Sequence, residues 1–237
     1  MEDLGASVEP GQVLADRLRL EERLGSGAVG EVWRARHLGL GKDVAVKLLR
    51  PDYVRDEAVS RRFIREAQTA SRLDHPGTVS ILDFGRDASG VLYLAMELVG
   101  GPTLLECLRE RGALPLSEAA AIISRVLAAV GAAHAAGVLH RDLKPSNILL
   151  SPREDDDGRP FMQVKVCDFG LAKWVDAAES LADSKGQGGI VGTPLYMSPE
   201  QAVDAEVDER ADIYAVGVIL FEMLAGQPPY EADRAVS

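Results

Sequence analysis

Apolar and polar positions alternate around glycines from residue 17 to 50, as RLRLEERLGSGAVGEVWRARHLG and then KDVAVKLLR. A period of two on this scale predicts an antiparallel meander of three strands. The period lengthens between Val54 and Leu73, where Val59, Phe63, Ala67 and Ala70 share one helical stripe that His75-Pro76 closes. Alternation returns at Val79–Phe84 and Val91–Leu98, predicting two further strands and a small sheet accompanied by one helix. Gly100-Gly101-Pro102 then marks a hinge. Beyond it the chain is rich in Ala and Leu with a helical period, most clearly over Ser117–Ala136, with Ser117 and Glu118 read as its start and Gly137 as its stop. No internal repeat is present, and SPREDDDGRP, Ser151–Pro160, reads as a solvated acidic turn. The fold class is therefore α+β, with an extension over 1–16, a sheet lobe over 17–99 and a mainly helical lobe over 100–237.

Composition narrows this only in places. With 237 residues, 46% hydrophobic and 27% charged, the chain excludes disorder, collagen and a disulfide scaffold. Two cysteines, Cys107 and Cys167, with no CxxC pair, predict free thiols and a reducing, cytoplasmic setting. The longest apolar stretch, Ala119–Leu139, is broken by Ser124, Arg125 and His134, and the N-terminus MEDLGASVEP is acidic, so neither a membrane span nor a secretion signal is expected. Net charge is −11, divided as −2 over residues 1–99 and −9 over 100–237. Nucleic acid and anionic membrane are thereby disfavoured as partners, and any phosphate must be bound by local devices.

The first such device is Gly25-Ser26-Gly27-Ala28-Val29-Gly30-Glu31-Val32, placed between two predicted strands. A hairpin without side chains lets backbone N–H groups approach phosphate, whereas a dinucleotide-binding turn would lead from strand into helix. Val44-Ala45-Val46-Lys47 then sets a lysine in an apolar strand, with Glu66 in the following helix as its candidate partner. Further on come His140-Arg141-Asp142-Leu143-Lys144-Pro145-Ser146-Asn147, Asp168-Phe169-Gly170 and Gly192-Thr193-Pro194-Leu195-Tyr196-Met197-Ser198-Pro199-Glu200. With these motifs in this order, the sequence resembles the protein kinase superfamily, specifically its eukaryotic-like serine/threonine branch, from about Leu18 onward.

The resemblance implies a bilobal kinase fold, ATP and Mg²⁺ as cofactors, and protein serine or threonine hydroxyls as acceptors. It implies that Lys47, held by Glu66, binds the α- and β-phosphates, and that Asn147 and Asp168 hold two Mg²⁺ ions. Asp142 is implied as the base, Lys144 as the residue reaching the transferred group, and Thr193 as their contact in the serine/threonine branch. For the nucleotide it implies Leu24, Gly25, Gly27 and Gly30 at the glycine loop, Val32 and Ala45 above the adenine, Leu149 below and Met96 behind. The backbone of Glu97 and Val99 would supply hydrogen bonds. Cys167 reads as a small buried hydrophobe. Asp212 is either a cap on the catalytic-loop backbone or a plain helix N-cap, and the sequence does not separate the two.

Departures from the pattern raise further expectations. In the family Glu200 pairs with a distant arginine, and neither Arg210 nor Arg234 occupies that position. Ile219, Leu220 and Met223 are expected to be exposed for want of following helices. Arg62, Arg141 and Lys173 are implied to gather on an activation-loop phosphate, with Ser180 and Ser184 as acceptors. The acidic second part suggests basic peptide substrates. Two readings compete with the kinase: an inactive ATP-binding scaffold, and a small-molecule phosphotransferase, for which GTPLYMSPE would be superfluous.

Overall fold

A computed structural model describes residues 8–26, 30–49, 57–155, 157–169, 194–203 and 205–230. They fall into two compact units. One holds the described residues up to Arg72 together with Ser80–Leu98, and the other holds Leu73–Val79 and the described residues from Val99 onward.

The first unit is a six-stranded antiparallel sheet, β1 (Val13–Leu14), β2 (Leu18–Ser26), β3 (Gly30–His37), β4 (Lys42–Leu49), β5 (Ile81–Arg86) and β6 (Leu92–Glu97), in the order β1-β2-β3-β4-β6-β5. Alternation assigns its faces. Leu18, Leu20, Trp33, Ala35, Val44, Val46, Leu48, Tyr93 and Ala95 form one core, so Val32, Ala45, Lys47, Leu94 and Met96 lie on the opposite face. Helix α1 (Glu57–Ala70) follows β4 and buries Phe63, Ala67 and Ala70, three members of the predicted stripe. The side chain of Val59 lies outside the described set. Gly30 owes its identity to packing, because a Cβ there would sit 1.8 Å from the Leu48 carbonyl oxygen.

In the second unit, helices α2 (Leu104–Arg111), α3 (Leu116–Ala135) and α5 (Glu209–Ala225) pack with the hairpin of β7 (Ile148–Glu154) and β8 (Pro160–Val166), and short α4 spans Pro199–Ala202. α2 starts at Thr103 with a capping box to Glu106. α3 starts one residue earlier than expected, after Pro115, so Ser117 lies in its first turn and caps nothing. Glu118 instead accepts from both terminal guanidinium nitrogens of Arg111, each at 2.6 Å. α3 has the length and hydropathy of a membrane-crossing helix. Here Ala119, Ile122, Val126, Ala129, Val130 and Ala133 build the unit's core instead. The acidic segment is half strand: β7 runs to Glu154, and Asp155 closes the tip by accepting the Asp157 and Arg159 N–H groups.

The expected exposure of Ile219 and Met223 is overturned, since both are fully buried and Leu220 packs against the same core. α5 is apolar around most of its circumference, so its sequence names no inner face. The side presented to α3 decides, and Ile213, Phe221 and Leu224 are left outside.

Residues 73–79 separate α1 from β5 in sequence yet belong to the second unit. Val79 N–H donates to the Val166 carbonyl at 2.9 Å, and Val166 N–H to the Gly77 carbonyl at 2.8 Å. Buried Lys165 donates from Nζ to the Thr78 carbonyl at 3.0 Å.

Candidate functional site

In the first unit, strand register gathers the candidates. Val32 stands opposite Lys47, Lys47 opposite Leu94, and Ala45 opposite Met96, so residues from β3, β4 and β6 form adjoining ranks on one face. Ala45 and Met96 are buried, and Val32 and Lys47 half-buried. Leu24 is exposed on β2, where Gly25 pairs with Val32. A Cβ on Gly25 would meet no atom of the described residues within 4 Å, so none of them requires glycine there. Glu66 sits in the middle of α1. The Glu97 N–H is committed to the Ser80 carbonyl at 2.9 Å, and its carboxylate accepts the Ser80 N–H at 2.8 Å. That amide is therefore engaged within the sheet, and the carbonyl is the part of the Glu97 backbone left for a ligand. Gly27, Gly170, Lys173, Ser180, Ser184 and Thr193 lie outside the described residues.

In the second unit, the segment from His140 to Asn147 is held from several sides. Asp212 lies one turn inside α5, whose N-cap is Asp208, so the plain capping alternative is removed. Its carboxylate, 2% exposed, accepts the Arg141 N–H on Oδ1 and the His140 N–H on Oδ2, both at 2.8 Å. The same Oδ2 accepts from His134 Nε2 at 2.7 Å. A carboxylate only accepts, so Nε2 carries the proton, while Nδ1 faces Glu209 at 4.0 Å.

His140 is fully buried. Its Nε2 lies 2.9 Å from the Cys167 carbonyl and must donate to it, while its Nδ1 accepts the Asp142 N–H at 3.3 Å. That pattern needs one ring proton, and burial agrees by pushing the imidazole pKa below its ordinary value against the pull of Asp212, Asp142 and Asp168. The ring also packs against buried Phe169, with centroids 4.8 Å apart.

This framework presents the chemistry. Lys144 Nζ donates to Asp142 Oδ2 at 2.7 Å, both side chains reaching solvent. Asn147 is buried and gives its amide N–H to the Asp142 carbonyl at 2.8 Å, which leaves Oδ1 as its oxygen donor. The β7–β8 register pairs Ile148 with Val166, and Cys167 N–H donates to the Asn147 carbonyl at 3.0 Å, so Asp168 follows next to Asn147. Leu149 is half-buried on β7 beside this end of the hairpin. Asp168 and Arg141 both have positive φ, 64° and 66°, uncommon for residues other than glycine.

Four residues here escaped the sequence reading. Tyr196 is buried and donates to Glu222 of α5 at 2.6 Å, fixing the PLY turn to that helix. Gln201 donates from Nε2 to the Arg141 carbonyl at 2.7 Å. His134 and Glu222 lie in apolar helices, where periodicity suggests only core. Gln201 did carry a signal, because Ser198-Pro199-Glu200-Gln201 has capping-box spacing.

Comparison with known proteins bears on this arrangement. Residues 18–237 match the family described as protein kinase domain. The chain is 45% identical over 226 residues to serine/threonine-protein kinase pkn3 of Myxococcus xanthus, covering 95% of this chain and 41% of that protein. It is 40% identical over 228 residues to serine/threonine-protein kinase PknB of Mycobacterium tuberculosis, covering 94% and 35%. The crystal structure of the Mycobacterium tuberculosis PknI kinase domain superposes with a TM-score of 0.75 at 31% identity, covering 95% of this chain and 81% of that one. The chain spans less than half the length of the curated relatives it matches. A match over nearly the whole chain, together with a fold shared at 31% identity, leads to one conclusion: this chain belongs to the protein kinase domain family.

Proposed function

We propose that the chain is the catalytic domain of a serine/threonine protein kinase, which moves the γ-phosphoryl group of ATP onto protein hydroxyls. The observation that carries this reading is the loop around Asp142, whose carboxylate is solvent-reaching and paired with Lys144 while its backbone is held by His140 and Asn147. In the transfer, the bond between the γ-phosphorus and the bridging oxygen breaks, ADP leaves, and the acceptor oxygen bonds to phosphorus. Asp142 orients the acceptor hydroxyl and takes its proton. Lys144 neutralises charge on the transferring group from beside that carboxylate.

The donor set suits Mg²⁺, which takes one or two protein oxygens and fills its remaining positions with phosphate and water. Asn147 Oδ1 and the Asp168 carboxylate, on neighbouring chain segments, would hold it. When bound, it supplies charge neutralisation on the phosphates. Lys47, in rank with Val32 and beside Ala45 and Met96, supports a nucleotide face on the sheet, and Gly25, under no steric demand from the described residues, supports phosphate approach there. A hydrogen bond at Glu97 falls to its carbonyl. Lys47, Glu66, Asp142, Asn147 and Asp168 are all in place in the sequence, so nothing favours the inactive scaffold. We place the domain in the cytoplasm, where ATP is supplied and where Cys107 and Cys167 stay as the free thiols they are here.

The test is intact-mass analysis after incubation with Mg-ATP. A gain of phosphate on the chain or on a basic serine peptide, absent in Asp142→Asn, is the expected result. No transfer by the unaltered chain to itself, to the peptide or to a general protein acceptor overturns the reading.

A further inference from the structure

The peptide joining Arg141 to Asp142 is held at both of its polar ends. Its N–H, on Asp142, reaches His140 Nδ1 at 3.3 Å, a long bond, and its carbonyl, on Arg141, accepts from Gln201 Nε2 at 2.7 Å, a short one. Arg141 itself stands at φ 66°, in the left-handed region that residues other than glycine rarely adopt and hold only where their surroundings fix them. Asp212 fixes the preceding N–H, and Gln201 fixes the carbonyl. Rotation of this one peptide would swing Asp142 and the carboxylate it carries.

Gln201 has a second set of bonds. It is the third residue of α4, and its Oε1 accepts from Ser198 N at 3.3 Å and Ser198 Oγ at 3.2 Å, with Ser198 fully buried. Capping alone does not call for glutamine. Glutamate serves the same box equally well, and its charge suits a helix N-terminus better. Only the amide brings an N–H to the Arg141 carbonyl, and a carboxylate would set acceptor against acceptor there.

We propose that Gln201 is a positioning residue for phosphoryl transfer, its amide locking the Arg141–Asp142 peptide, and so the orientation of the Asp142 carboxylate, to α4, the short helix that begins at the end of GTPLYMSPE. The inference rests on the kinase reading above. It makes the base responsive to the segment ending at Ser198: when Ser198-Pro199-Glu200-Gln201 is seated, Asp142 is aligned, and when it is displaced the strained peptide loses its strongest restraint.

Gln201→Glu in the full chain tests this, with Gln201→Ala beside it. Glutamate retains the capping box, so the melting temperature and the Kd for ATP should match the unaltered chain. Turnover of a basic serine peptide should fall between about 10- and 100-fold with KM for ATP unchanged, the scale expected for a misplaced reacting group. Gln201→Ala should lose both turnover and some thermal stability. Turnover of Gln201→Glu at the unaltered rate overturns the proposal. So does a loss of ATP affinity and melting temperature in step with turnover, which marks Gln201 as merely structural. If the unaltered chain transfers no phosphate, the kinase reading fails first, a result distinct from either of these.

Discussion

Asp212 accepts three hydrogen bonds from residues 71 to 78 positions away, and this long reach is why its role was undecided in the sequence and plain in the fold. An aspartate opening an apolar run serves as a helix cap or as a long-range acceptor with the same letter, and only the location of Asp208 separates them. Lys47, Asp142, Asn147 and Asp168 were legible because phosphoryl transfer demands particular residue types at particular spacings. Lys47→Met should lower autophosphorylation by on the order of 10³-fold while leaving the melting temperature within a degree or two, since the lysine supplies charge rather than packing. An unchanged rate by mass analysis would remove Lys47 from the site. Tyr196 was not legible, because a tyrosine between proline-rich segments signals nothing until Glu222 is found beneath it. Burial first, and then the bond to Glu222, lifts the Tyr196 phenol well above its ordinary pKa, so it stays a donor at any physiological pH. Tyr196→Phe strands a buried carboxylate and should destabilise the chain by about 1–3 kcal/mol in urea titration.

At the scale of elements, the sheet was the easier half to read. Period-two alternation with one polar face is a strong pattern, and β2 to β6 stand where it put them, within a few residues. The helices were harder. α3 and α5 are buried on broad surfaces, so periodicity gave their existence without their inward faces, and Ile219 and Met223, expected to be exposed for want of following helices, are covered by the core they share with α3. The two glycines of β2 and β3 make a contrast that a sequence motif hides. Gly30→Ala drives a Cβ into the backbone of Leu48 and should cost about 1–3 kcal/mol or more, seen as a lowered melting temperature. Gly25→Ala meets no neighbour among the described residues, so its melting should be unchanged while KM for ATP rises. Equal melting of the two variants would refute the distinction.

For the whole molecule, the shifted groups set the acid limit. Arg111 by its hydrogen bonds holds the Glu118 carboxyl below its ordinary value, and the Thr103 backbone does the same for Glu106. Carboxyls so lowered contribute stability that is complete above the unfolded pKa near 4.5 and is lost as pH falls through the folded value. His140, kept neutral by burial, adds an earlier decline, because below its unfolded value of 6.5 the unfolded chain takes a proton that the folded one refuses. Melting temperatures from pH 7 to 3 should thus fall in two stages, and Glu118→Gln should differ slightly from the parent only above the second. A flat profile down to pH 4 would contradict the His140 assignment. The short run 73–79 carries a consequence for dissection. Because it lies between α1 and β5 in sequence but bonds to Val166 and Lys165, no single cut yields two self-sufficient halves. Fragments 1–98 and 99–237, produced apart, should each be poorly soluble: the second would present an unpaired β8 edge, and the first would carry the segment that pairs with it. Mixed from denaturant, they should reassemble into a noncovalent pair, and scrambling residues 75–79 should abolish that reassembly while a scrambled exposed tip at 154–158 should not.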